Sequence, residues 1–118
     1  MAKATKLTKA RAIRVAEWAQ GFLRLQGWKV RFLYGNASPP WGDVPADRTG
    51  ETELDVLYKT ANIWVRSGPD ALRTIMHEVL ELAFADAGYK HGDRDAKHAL
   101  IYALESAMVA AYLRKAKP

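Results

Sequence analysis

The spacing of apolar residues along the chain switches between two periods. Leu7, Ala10, Ile13, Ala16 or Glu17, Ala19 or Gln20, Leu23 and Gln26 follow the helical period. Ile13, Val15, Trp18, Phe22, Leu23 and Leu25 supply bulk. This predicts a first helix over residues 7–26, with Thr8 as N-cap and Gly27 as its stop. From Trp28 to Tyr34 the period falls to two. Trp28, Val30, Phe32 and Tyr34 fall on one face and Lys29, Arg31 and Leu33 on the other, which predicts a half-buried strand. The Gly-, Pro-, Asn-, Ser- and Asp-rich stretch 35–50 reads as a loop long enough to rim a site.

Alternation returns over 51–59, where Thr52, Leu54, Val56 and Tyr58 share a face, and over 61–66, where Ile63 and Val65 flank Trp64. Lys59–Asn62 reads as the turn between them. Ser67-Gly68-Pro69-Asp70 opens a helix over 70–87 that Gly88 ends. His91-Gly92-Asp93 leads into a last helix over 94–115. The expected fold is therefore one α+β domain over 1–118. It has an N-terminal helix, a small three-stranded, mainly antiparallel sheet, a second helix and a long C-terminal helix. Residues 1–6 are expected to form a disordered basic tail.

Composition narrows the chemistry. The chain has no cysteine, which removes disulfides, thiolate metal sites and cysteine nucleophiles together. Positive charge at the start is not followed by an apolar run, so no secretory signal is expected. No apolar stretch is long enough to span a membrane. A cytoplasmic protein is the expectation. The net charge of +5 is uneven: residues 1–31 hold eight Lys/Arg against one acid, Glu17. Lys3, Lys6, Lys9, Arg11 and Arg14 could meet nucleic acid, or form a solvated face. Trp18 and Phe22 are expected in the core rather than beside these cations. Trp18, Trp28 and Trp64 are core candidates, and Trp41 a candidate for a cleft rim.

The most informative stretch is Thr74-Ile75-Met76-His77-Glu78-Val79-Leu80-Glu81. His77 and Glu81, four apart on a helix, can grip one metal ion. Glu78, beside the first ligand, can take a proton from a water that the ion activates. Asp70, Thr74, His77, Glu78 and Glu81 fall in one polar stripe on a helix that is otherwise apolar, which suits a cleft lining or plain solvent exposure. On the last helix His98, Tyr102, Glu105, Val109 and Tyr112 share a face, opposite Ala99, Ala103, Ser106, Ala107 and Ala110. Glu105 thus lies among bulky apolar residues, where a carboxylate needs a partner. That partner could be a metal shared with His77 and Glu81, or an arginine such as Arg73. His98 is the other candidate ligand.

A helix, a short sheet, an HExx(H or E) helix and a final helix with an inward Glu together resemble the minimal zincin core. The chain is similar to the small zinc-peptidase-like proteins of phage and bacterial genomes. The likeness rests on Arg73, Thr74, His77, Glu78 and Glu81, and more loosely on Tyr102 and Glu105. It implies His77, Glu81 and Glu105 as ligands of Zn²⁺, Glu78 as general base, and Tyr102 as a helper to an oxyanion. It also implies that Ala61–Arg66 is the edge strand to which a peptide substrate adds. The family has His where this chain has Glu81. Two carboxylates and one imidazole would leave a divalent ion without net charge, weakening it as a Lewis acid and making Mn²⁺ or Mg²⁺ more competitive. Three functions are therefore expected to compete. They are a metal-dependent peptidase, a non-catalytic binding or structural module of the same fold in a phage or mobile element, and a basic nucleic-acid-binding protein.

Overall fold

The computed structural model describes residues 7–88 and 94–116. The tail at 1–6, with Lys3 and Lys6, and the connection at 91–93 lie outside the described residues. The elements are α1 (Lys9–Phe22), β1 (Lys29–Gly35), β2 (Gly50–Asp55), β3 (Thr60–Arg66), α2 (Ala71–Asp86) and α3 (Arg94–Ala116). α1 and α2 pack on one face of the sheet, and α3 packs on α2 and touches α1. No helix among the described residues is long and apolar enough to cross a membrane.

Thr8 caps α1 as expected, its Oγ1 accepting from Arg11 N at 3.1 Å. The helix then stops at Phe22, earlier than its periodicity predicts, and Gly27 is not its stop. Arg24 takes the left-handed turn, at φ 59°. The turn drops Leu25 into the core, at 3% exposure. Gln20 Nε2 secures it by donating to Leu25 O and Trp28 O, both at 3.0 Å. At the end of α2, Gly88 does act as expected, at φ 88°.

The sheet is mixed, not mainly antiparallel. Its order is β1-β3-β2, with β1 parallel to β3 and β2 antiparallel to it. Residues 36–49 carry the chain past the end of β3, and a hairpin returns it into the gap. Ala61, Ile63, Trp64 and Val65 are all buried, as a central strand requires. The apolar run Ile63-Trp64-Val65 was the sequence signal for that position. The loop is pinned rather than free. Arg66 N donates to Thr49 O, its Nε to Arg48 O and its Nη1 to Asn36 O, and Trp64 Nε1 donates to Ala37 O at 2.9 Å.

β2 comes close to α2 at Gly50. A Cβ there would stand 2.7 Å from Thr74 Cγ2 and 2.9 Å from Glu78 Oε2. The Thr74 methyl is short and fixed by its helix, so it cannot swing away. Gly50→Ala should therefore cost about 1–3 kcal/mol of stability, as overpacking does. Urea unfolding of the two proteins, compared at equal slope, measures it.

Candidate metal centre

α2 and α3 meet along the two faces that carry the titratable residues. His77 stands between two carboxylates. Its Nδ1 is 2.9 Å from Glu105 Oε2, and its Nε2 is 3.5 Å from Glu81 Oε2. His98 reaches the same Glu81 oxygen through Nε2, at 3.2 Å. Lys97 Nζ holds the other Glu81 oxygen at 2.9 Å. Glu105, 4% exposed, is bridged on its second oxygen by Arg73 Nη1 at 3.6 Å. Arg73, one of the two partners expected for Glu105, is thus present, and the other oxygen meets the His77 ring directly rather than through a shared ligand position.

His77, Glu81 and His98 offer one ligand atom each, all within 4.8 Å of one another. In a tetrahedral zinc site, bonds of about 2.0–2.1 Å place neighbouring ligand atoms about 3.3 Å apart. The Glu81 oxygen lies at 3.5 and 3.2 Å from the two imidazole nitrogens, so two edges of such a site are already formed. Glu105 engages the far nitrogen of His77 and lies outside this trio. It fixes the ring so that Nε2 faces Glu81, the arrangement in which a carboxylate orients a metal-binding histidine. The donor set is thus two imidazoles and one carboxylate. A divalent ion there keeps a charge of +1, and imidazole donors suit zinc. The loss of charge expected from Glu81 is offset by His98.

Glu78 lies beside this group and is buried, at 7% exposure. Thr52 Oγ1, on β2, donates to its Oε1 at 2.7 Å. A cleft of about 680 Å³ runs between β2 and the two helices, lined by His77, Glu78, Glu81 and His98, with Leu54, Val56 and Ala85 along its apolar wall. A second hollow continues it over Thr49, Asp70 and Arg73. Tyr102, 58% exposed, stands at the mouth of both, its ring centroid 5.6 Å from that of His77.

Burial pushes the Glu78 carboxyl up to about 7, opposed by the Thr52 hydrogen bond and the His77 charge. The hydrogen bond to Glu81 raises His77 to about 9, against its partial burial and with help from the Glu78 and Glu105 charges. Glu81 is held down at about 2, first by His77 against its own burial, and then by Lys97 and His98.

The polar stripe expected on α2 does line the cleft, and the expected face of α3 supplies His98, Tyr102 and Glu105. The strand beside the cleft is β2, not Ala61–Arg66. β3 is the central strand, so it has no free edge. Of the stretch 35–50, the end reaches the cleft, with Asp47, Arg48, Thr49 and Gly50 in its lining. Trp41 is not in its lining and instead donates from Nε1 to Glu51 Oε1 at 2.6 Å. Lys9, Arg11 and Arg14 do not line it either. Thr52, Lys97 and Arg48 are further neighbours of the group that the sequence did not mark as site residues. The signals available were the strand face that Thr52 shares with Leu54 and Val56, the loop that holds Arg48, and the place of Lys97 next to His98. A scan against protein-family models and searches of curated proteins and of solved structures returned no match for this chain.

The three shifts fix how the stability of chelator-treated protein depends on pH. His77, raised from 6.5 to about 9, stabilises the fold fully below pH 6.5 and loses that contribution as pH rises through about 9. Glu78, raised from 4.5 to about 7, acts in the same direction, from 4.5 upward. Glu81, lowered from 4.5 to about 2, contributes above 4.5 and is lost as pH falls through about 2. Metal-free protein should therefore melt highest near pH 4.5–5 and progressively lower towards pH 9. Added zinc should reverse the trend, because protons compete with it for His77. Thermal melts across this range, with and without zinc, read both slopes.

Proposed function

We propose that this chain is a metal-dependent hydrolase that cleaves peptides, with His77, Glu81 and His98 holding a divalent ion, zinc in the first instance, and Glu78 as general base. The observation that carries this reading is the approach of those three ligand atoms to within 4.8 Å beside a buried glutamate in a cleft. When bound, the ion would supply Lewis acidity, polarising a carbonyl and making a water more acidic.

Each side chain then has a definite task. Glu105 and Arg73 hold His77 in orientation through its Nδ1. Lys97 holds one oxygen of Glu81, leaving the other towards the histidines. Thr52 engages Oε1 of Glu78, so Oε2 is the oxygen that takes a proton from the attacking water and passes it to the leaving amine. Tyr102, at the mouth of the cleft, is placed to approach the substrate. β2 pairs with β3 on one side only, and Gly50, Glu51, Thr52 and Leu54 line the cleft. An extended peptide can add along that edge as a further strand.

A second reading has its own support. Among the described residues every buried side-chain nitrogen and oxygen has a partner. The network of Arg73, His77, Glu81, Lys97, His98 and Glu105 also pairs its charges internally, as a structural, non-catalytic set of ion pairs would, and the two readings differ in metal content.

Elemental analysis of purified protein should find close to one zinc per chain, lost in His77→Ala and in His98→Ala. Glu105→Gln should keep the metal but bind it roughly 10–100-fold more weakly, as expected for an orienting residue. Glu78→Gln should keep the metal and lose peptide cleavage by roughly 10²–10⁴-fold. Wild-type protein that takes up no zinc when it is supplied would leave the structural reading in place.

A further inference from the structure

Away from the cleft, α1 presents a second stripe, of which Trp18 packs against the core and Arg11, Arg14 and Phe22 face solvent. Ala12, Val15, Ala16 and Ala19 face the core. At about 100° per residue, Arg11, Arg14, Trp18 and Phe22 fall within about 80° of one another on another side of the helix, along about 16 Å of its length. Phe22 stacks on Trp18 at 4.8 Å between centroids, yet remains 54% exposed. Trp18 meets Tyr112 of α3 edge-on at 5.3 Å, and Lys115 Nζ lies 5.9 Å from the Tyr112 ring centroid. That contact brings the last turn of α3, with Arg114 and Lys115, beside the stripe.

Two features of this surface face solvent. Phe22 stacks on Trp18 yet keeps about half of its surface in water, where burial would stabilise it further. And among the described residues Arg11, Arg14, Arg114 and Lys115 are paired with no carboxylate. Glu17, three residues after Arg14, forms no ion pair with it.

We propose that this face, made by the exposed Arg11, Arg14, Phe22 and Lys115 and backed by Trp18 and the buried Tyr112, binds single-stranded nucleic acid. Unpaired cations in a row beside stacked rings are the two parts such a surface needs: phosphates meet the cations and a base continues the stack on Phe22. A duplex offers no free base face to the ring. An anionic membrane fits less well, because the wide apolar side of α1 is consumed by the core and leaves little to insert. The proposal is independent of the metal centre, which none of these residues touches.

Fluorescence anisotropy with labelled oligo-dT and oligo-U of about 16 nucleotides tests it. Both should bind, a duplex of equal length more weakly, and the log–log slope against salt should be about −2 to −3 for three or four phosphate contacts. Arg11→Glu with Arg14→Glu should weaken binding at least tenfold and flatten the slope by about 1.4. Phe22→Ala should weaken binding by about fivefold or more without changing the slope. All these positions are exposed, and a circular dichroism melt confirms folding. His77→Ala should bind like wild type. Absence of binding at low salt, affinity unchanged in either variant, or binding to phosphatidylserine vesicles in place of the oligonucleotides would overturn the proposal.

Discussion

A buried carboxylate needs a partner, and in this protein that need sets how the last two helices meet. Glu105 sits among Ile101, Met108 and Tyr112, almost without solvent. Left unpaired there it would cost several kcal/mol. It is met by His77 on one oxygen and Arg73 on the other, and both of these belong to α2. These contacts, one turn apart on α2, fix the rotation of α2 against α3. They also leave the second nitrogen of His77 pointing at Glu81, where His98 arrives from the facing helix. The geometry that could hold an ion follows from satisfying one glutamate.

The sheet supplies the second constraint. β3, which buries Ala61, Ile63 and Val65 on the helix side and Trp64 on the other, is central, and β2 takes the edge above α2. Gly50 allows the backbone of β2 to come against Thr74 and Glu78, and Thr52 then reaches the Glu78 carboxylate. Glu78 is therefore desolvated by a strand and adjacent to a charged histidine on its own helix. Two opposing influences act on one carboxyl, and burial is the larger. The same strand has a free edge along the cleft, so the element that buries the proposed base is also the one an extended chain would join.

The proposed functions occupy separate surfaces. The cleft lies between β2, α2 and α3 near the start of α3, while the aromatic and cationic stripe runs along α1 and reaches the last turn of α3. Helix α3 is long enough to contribute to both, with His98 and Glu105 to the one and Tyr112 and Lys115 to the other.

Local pattern determined much of this protein. Order and kind of the elements, the polar stripe on the HEVLE helix and the burial of Glu105 all follow from periodicity, because a helix or strand places its own side chains by geometry alone. Three things required the packed chain. The parallel pairing of β1 with β3 depends on a loop passing over the sheet end, and spacing within a strand carries no record of its neighbour. The early end of α1 at Phe22, with the left-handed turn at Arg24, goes with the burial of Leu25 in the core. The place of His98 in the ligand trio, with Glu105 behind it, depends on the depth and rotation at which two helices meet. That is decided by side chains distant in sequence that compete for the same few ångströms, and only the tertiary structure settles such a competition.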